Sequence, residues 1–443
     1  MRPIAAALAL VLAVALPAAD EAADRNWPQW RGPHATGVAP HATPPIEWSE
    51  TKNVRWKVEI PGRGSSTPVI WGDRLFLTTA IPAGASAASA HEPRGGRTPR
   101  PSHRFVLLAI DRRTGAVAWE RVVREDVPHE ATQENGTWAS SSAVTDGEHV
   151  IASFESRGIY AFDLAGTPVW QVDLGDKRMR NQFGEGASPA LHGNHLVVVW
   201  DHQGGSFIVA LDKRTGRELW RQPREEIDTW ATPLVVEHAG RAQVVVSGMS
   251  RLRSYDLETG RLVWHTGGVT MNAIPSPVGA DGMVFVTSGF RGNSLKAIRL
   301  AGARDDITGT PAVAWTLDRD TPYVPSPLLY DGIIYILKSN NGLLSAFDAR
   351  TGTPHYQVQR LDQAPNVYAS PVGAAGRVYI AGRDGTTVVL RHGRTFEMIA
   401  ANTLDDGFDA SPALVGNAIF LRGYRFLYGI GQPAAQPTGR SGG

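Results

Sequence analysis

Eight times along this chain a two-residue slot, usually Ser or Thr followed by Pro, opens a stretch rich in strand-forming residues. The slots are Thr67-Pro68, Ser142-Ala143, Ser188-Pro189, Thr232-Pro233, Ser276-Pro277, Ser326-Pro327, Ser370-Pro371 and Ser411-Pro412, at intervals of 75, 46, 44, 44, 50, 44 and 41 residues. A unit of this size cannot bury its own apolar face, so repetition forces each copy to stack on the next. The first interval is long because it contains residues 82–104, an Ala/Ser/Gly/Arg/Pro-rich stretch without apolar period, which reads as an inserted loop.

Within each repeat the slot leads to a Gly- or Asn-containing turn and then to an apolar strand, such as Arg74–Thr79, Met283–Thr287 or Arg377–Ala381. A third strand ends in Asp and enters a specified turn: Asp111–Gly115, Asp212–Gly216, Asp256–Gly260 and Asp348–Gly352 all read Asp-x-x-Thr-Gly. Asp163–Gly166 is a shortened copy. The carboxylate can accept turn amides, and Gly supplies the positive φ that ends such a loop. Four residues after each glycine stands an aromatic, namely Trp119, Trp170, Trp220, Trp264 and Tyr356, with Trp315 serving the repeat whose connection is longer. One large ring at a fixed place per repeat fits packing between adjacent sheets. Four-stranded units at this period match the blades of a β-propeller, and eight slots predict eight blades. Asn53–Ile60, with Trp56, has no earlier blade of its own, whereas the last unit, Asp409–Gly431, supplies three strands and stops. The expectation is an all-β, eight-bladed propeller of four-stranded blades, closed by an N-terminal outer strand pairing with the C-terminal blade, which leaves no open sheet edge.

Composition removes several classes of chemistry. The 443 residues contain no Cys, which excludes disulfides, thiolate nucleophiles, zinc-thiolate sites and iron–sulfur clusters. Forty-four basic against 43 acidic residues give no field to attract nucleic acid. Met1-Arg2 and the apolar run Ile4–Leu16 read as a signal peptide, 1–23, cleaved between Ala18 and Ala23, since the run is too short to span a bilayer. A lead-in of 24–52, a propeller of 53–431 and a disordered tail of 432–443 complete the expected organisation. The mature protein is expected to be periplasmic or secreted, monomeric and without a membrane span.

The string Ala-x-Asp-x-x-Thr-Gly-x-x-x-Trp, intact at Ala109–Trp119 and Ala210–Trp220, resembles the tryptophan-docking repeat of quinoprotein propellers. Ser254–Trp264 departs from it in its first residue and Ala346–Tyr356 in its last. The opening Asn26–Pro33 resembles that of secreted bacterial proteins with PQQ-like propeller repeats, which are also similar to the outer-membrane assembly factor BamB. The resemblance to BamB implies a non-catalytic scaffold that binds an envelope protein or a polar small ligand and needs no cofactor. The lipid-bearing Cys of many such factors is missing. The alternative is a dehydrogenase of alcohols or sugars with PQQ and calcium in the central channel. The cysteine pair often found beneath that quinone cannot exist here, and no catalytic or metal-binding residue is transferred.

A propeller's outer-to-inner connections converge on one face, so a site is expected there. These connections supply Asn135 and Trp138; Arg180, Gln182 and Glu185; Asp228 and Trp230; Asn272; Tyr323; Asn366 and Tyr368; and Asp409. Trp138, Trp230 and Tyr368 stand outside the regular aromatic series, and an aromatic, acidic channel mouth for a polar ligand or peptide is expected. Arg94, Arg97, Arg100 and Arg104, with His91, Glu92 and His103, make the insertion cationic. His192 and His195 flank a hairpin turn without a third ligand, so no metal site is expected. P-loop, GxSxG and HExxH patterns are absent.

Overall fold

A computed structural model describes residues 17–84 and 101–432. Its strands form eight sheets, one for each slot, antiparallel except for one short added strand in blade 4. Blade 1 comprises Val69–Trp71, Arg74–Pro82, His103–Asp111 and Val117–Asp126 in that order. Blades 2 to 7 repeat this meander, beginning at Val144, Ala190, Leu234, Val278, Leu328 and Val372. Blade 8 takes Ala413–Val415, Ala418–Arg422 and Phe426–Gly431 from the C-terminal part of the chain and Val54–Glu59 from the N-terminal part. Val54 pairs with Ile430 and Glu59 with Phe426, so the ring closes as the orphan strand predicted. Apolar clusters lie between neighbouring blades: Val278, Phe285 and Ala297 of blade 5 pack with Ile334, Ile336 and Phe347 of blade 6. Burial is therefore distributed around the ring, and each blade depends on two neighbours for its core.

The tryptophans and the Asp turns are two halves of one joint. Trp119 of blade 1 donates its indole N–H to the Leu164 carbonyl in the turn of blade 2, at 3.1 Å. Trp170 reaches Lys213 at 2.8 Å, Trp220 reaches Leu257 at 2.7 Å and Trp315 reaches Ala349 at 3.0 Å, each in the following blade. Each ring lies flat on the next turn's glycine, where a Cβ on Gly166 or Gly216 would come within 2.8 Å of the indole. Gly is thus required twice, for a positive φ and for the ring's close approach. Trp264 is the exception. The connection after blade 5's third strand is remodelled, and its Asp305–Asp306 adds a short parallel fifth strand to blade 4. Trp264 is fully buried beneath it and donates to Gln243 of its own blade.

The slots form a belt around the channel. The backbone N–H of Thr67 donates to Ser142 Oγ at 2.9 Å, that of Ser142 to Ser188 Oγ at 2.9 Å, and that of Ser188 to Thr232 Oγ1 at 3.0 Å. The same link continues through Ser276, Ser326, Ser370 and Ser411. This is why a hydroxyl recurs at the first slot position. At the joint between blades 8 and 1 the pattern changes: the buried Arg422 crosses the seam, donating to Ser66 Oγ at 2.6 Å and to the Thr78 carbonyl at 2.7 Å.

The lead-in closes the far end of the channel. Trp27 bridges Ile70 of blade 1, and the Pro28 carbonyl accepts the N–H of Thr145 of blade 2. Three residues on, the buried Arg31 donates to the carbonyls of Pro327 and Pro371, at 2.8 and 3.0 Å, in blades 6 and 7. Blade 6 stands opposite blade 2 in an eight-membered ring, so Pro28–Arg31 crosses the axis. Thr36, Val38 and Thr43 then run along blades 6, 7 and 8.

One expectation is corrected. His103 and Arg104 do not belong to the cationic insertion. They open the third strand of blade 1, whose partner strand runs on to Pro82, and His103 is buried against Trp138 at a centroid distance of 4.5 Å. Alternation places their backbones in a ladder that flanking Arg and Pro concealed. His91, Glu92, Arg94, Arg97 and Arg100 lie outside the described residues, as do most of the signal segment and residues 433–443 of the tail. Pro17–Asp24 forms a short helix, and no helix among the described residues is long and apolar enough to cross a membrane.

Candidate functional site

With one end closed, the channel becomes a cup of about 200 Å³, open at the face where the outer-to-inner connections converge. Trp30 of the lead-in contributes to its lining, with the slot hydroxyls of Ser142, Ser188, Ser370 and Ser411. Seven of the twelve residues expected at the mouth line this cup: Asn135, Glu185, Trp230, Asn272, Tyr323, Tyr368 and Asp409.

Its polar groups are mostly committed to one another. Asp409 accepts from Arg383 Nε at 2.7 Å and from the Tyr424 hydroxyl at 3.2 Å. Burial raises the Asp409 pKa from the usual carboxylate range, and Arg383 opposes that rise. Arg383 also donates to Asn135 Oδ1 at 2.8 Å and stacks over the Tyr368 ring at 4.2 Å. Burial likewise raises Glu185, whose carboxylate accepts the Ser156 hydroxyl at 2.6 Å and the Ser156 N–H at 3.0 Å. Trp230 is fixed by its indole N–H on the Gly184 carbonyl at 2.7 Å. Tyr323 stacks on Phe290 with centroids 4.9 Å apart, and the Asn272 amide nitrogen stands 3.5 Å from its hydroxyl. Asn272 Oδ1 is buried and has no hydrogen-bond partner.

The other five expected residues support the loops. Trp138 lines a separate small side cavity with His129, Glu130 and Arg157, and its indole N–H bonds the Glu130 carbonyl at 3.1 Å. Asp228 is buried against Arg180, at 3.3 Å between Oδ2 and Nε, and it accepts the Arg180 N–H at 3.0 Å. Gln182 accepts the N–H of Ala131, and Asn366 accepts that of Arg383 through its carbonyl. Sequence reasoning missed Arg383 because it follows an inner strand, Arg377–Ala381, rather than an outer one. It also missed Trp30 and Phe183 in the lining. The Arg383-Asp384-Gly385 turn was the available signal for the first.

His192 and His195 pair across their hairpin and lie near Glu237 and Glu258, respectively. Among the described residues, the acid and imidazole group compact enough for a shared ion is Asp146, Glu148 and His149, in the turn between the first two strands of blade 2. Lys213 already neutralises Asp146. The cup lining holds two carboxylates and no Arg, Lys or His. It therefore does not fit a quinone that carries several carboxylates: anions there would meet like charge, and the nearby Arg383 is engaged.

The family described as outer membrane protein assembly factor BamB matches residues 45–207, 155–302 and 248–424, almost the whole ring. The chain belongs to this family. A BamB from Francisella salina is 34% identical over 100 residues, which is 23% of this chain and 18% of that protein, so the match spans under a fifth of the relative. The crystal structure of BamB from Moraxella catarrhalis superposes with a TM-score of 0.58 at 14% identity, covering 85% of this chain and 99% of that one. A europium-containing methanol dehydrogenase superposes at 0.61 with 10% identity, covering 91% of each chain. The quinohemoprotein alcohol dehydrogenase from Comamonas testosteroni does so at 0.58 with 11% identity, covering 94% of this chain and 82% of that one. At such identities the likeness carries the propeller architecture alone.

Proposed function

We propose that this protein is a non-catalytic binding propeller of the cell envelope, taking an envelope protein or a polar small ligand at the channel mouth. The observation that carries this reading is the state of the cup's carboxylates. Asp409 is held by Arg383 and Tyr424, and Glu185 by Ser156, so neither is placed as a free general base. No His or Lys in the lining replaces them. Membership of the BamB family supports a role in holding partners, and the number of loops converging on one face supports the mouth as the contact surface.

The decisive experiment adds PQQ and Ca²⁺ to the purified protein and follows quinone absorbance and dye reduction with alcohols and aldoses. No bound quinone and no reduction is the expected result. Stoichiometric quinone with substrate-dependent dye reduction would overturn the reading in favour of a dehydrogenase.

A further inference from the structure

We propose that the cup is a binding site for an uncharged, polyhydroxylated ligand, a neutral saccharide of one or two rings. This rests on the reading of the protein as a binder and specifies what it binds.

One polar group of the cup lacks a partner. Asn272 is 2% exposed and lines the cup, yet Oδ1 has no donor while the amide nitrogen faces Tyr323. Turning the amide over moves the deficit to the nitrogen and does not remove it. A buried polar atom left unpaired is destabilising, and a ligand hydroxyl, both donor and acceptor, can recover that loss.

The belt adds hydroxyl donors. Ser142, Ser188, Ser370 and Ser411 each accept a neighbouring slot's N–H, but among the described residues none gives its own hydroxyl proton to a protein acceptor. Four hydroxyls of the encircling belt therefore line the cup with their protons available to a ligand. Saccharide oxygens spread around a ring suit that circular arrangement.

Charge and shape favour the same class of ligand. Trp30, Trp230, Tyr323 and Tyr368 offer ring surface to the C–H faces of a sugar. The two lining carboxylates already have partners in Ser156 and Arg383, so a charged ligand group would be taken from water without a dedicated counter-charge, a cost that an uncharged ligand avoids. The cup's enclosed volume of about 200 Å³ lies below the roughly 300–1,000 Å³ of drug-sized pockets, so it takes one sugar ring, and a second ring would extend into the open mouth.

The test titrates the full chain with glucose, maltose and cellobiose, and with glucuronate and glucosamine as charged counterparts, reading tryptophan fluorescence and saturation-transfer NMR. A neutral sugar is expected to saturate with a Kd below about 10 mM, and its charged counterparts to bind about tenfold more weakly. Asn272→Gly suits the residue's φ of 54° and is expected to weaken binding by about tenfold. Gly186→Leu tests occlusion, because a Cβ there meets only Trp230 and Ser140, at 3.6 and 3.8 Å, and the rest of the side chain would enter the cup. It is expected to abolish binding with an unchanged melting temperature, whereas Trp138→Phe, outside the cup, is expected to leave affinity intact. Failure of every neutral sugar, or undiminished binding by Asn272→Gly, overturns the ligand class. Sugar-dependent dye reduction with PQQ and calcium instead overturns the non-catalytic reading, so the two failures are read on different instruments.

Discussion

The indole N–H of Trp56 donates to the backbone carbonyl of Arg112 across 3.0 Å, so the first tryptophan of the ring docks on the turn of the first complete blade. Trp56 belongs to blade 8 by sheet pairing, opposite Gly429, and its ring lies on Gly115. The residue that completes the last blade is therefore also the one that fastens it to the first. Trp56→Ala is expected to cost about 3–5 kcal/mol, as for other large buried aromatics. Urea unfolding followed by fluorescence should show a lower midpoint. Limited proteolysis should attack residues 409–432 earlier than in Trp170→Ala, which removes the same joint within the continuous chain.

The seam makes a second demand. Arg422 has no carboxylate partner in its hydrogen bonds, and burial pushes its pKa down to about 9. Its donors nevertheless satisfy Ser66 and the Thr78 carbonyl at the one joint where the slot belt is interrupted. Arg422→Met relieves a buried charge but strands those acceptors, so a net loss of about 1–3 kcal/mol is expected. Arg422→Lys should not restore it, since one ammonium cannot reproduce the guanidinium's spread of donors. Chemical denaturation of the two variants checks both statements.

Both halves of each joint were legible in the sequence, but their partnership was not. Trp119 stands four residues after Gly115, yet it docks on Gly166, and no local pattern says that an aromatic serves the following repeat. Trp264 had the right spacing and still turned inward, because residues 300–312 replace the turn it would have met. The mouth residues were legible as a class, since outer-to-inner connections must share a face. Which of them meet was not, because Asn135 and Arg383 are joined across the ring's closure, 248 residues apart. The floor was least readable: Trp30 and Arg31 look like a linker until the strand Val54–Glu59 fixes where the lead-in ends.

The Asp turns predict acid sensitivity. The Thr167 N–H and hydroxyl hold the Asp163 carboxyl below the ordinary value of 3.8. At Asp111 and Asp348 partial burial pulls upward, but the turn amides and Thr hydroxyls outweigh it and the net direction is again down. Because these folded-state pKa values are depressed, their stabilisation is fully present above the unfolded value and is lost as pH falls through the folded one. Asp163→Asn combined with Asp348→Asn should lower the urea midpoint at neutral pH. The gap from the parent should narrow below pH 3.8, where the parent's carboxylates also become protonated. A constant gap across that range would mean that the turns act through shape and not charge.

The buried pair Asp201–Arg224 connects stability to the mouth. Arg224 reaches both carboxylate oxygens, at 2.7 and 2.9 Å, and also donates to the Ser247 carbonyl and the Tyr255 hydroxyl. Neither side chain is exposed, and the pair holds the Arg224 pKa above its ordinary value despite the opposing pull of burial. Asp201 also accepts the hydroxyl of Thr229, the residue between Asp228 and Trp230. Removing the guanidinium leaves a buried carboxylate uncompensated, so Arg224→Met is expected to cost about 3–5 kcal/mol. Adding Asp201→Leu should recover much of that stability, because two apolar side chains of similar bulk need no pairing. The double variant still frees Thr229, and with it the loop that presents Trp230 to the cup. Its affinity for a cup ligand should therefore remain low while its unfolding midpoint returns, a split that urea titration and fluorescence binding on the same protein would resolve. Recovery of both together would mean that Trp230 is positioned by its bond to Gly184 alone.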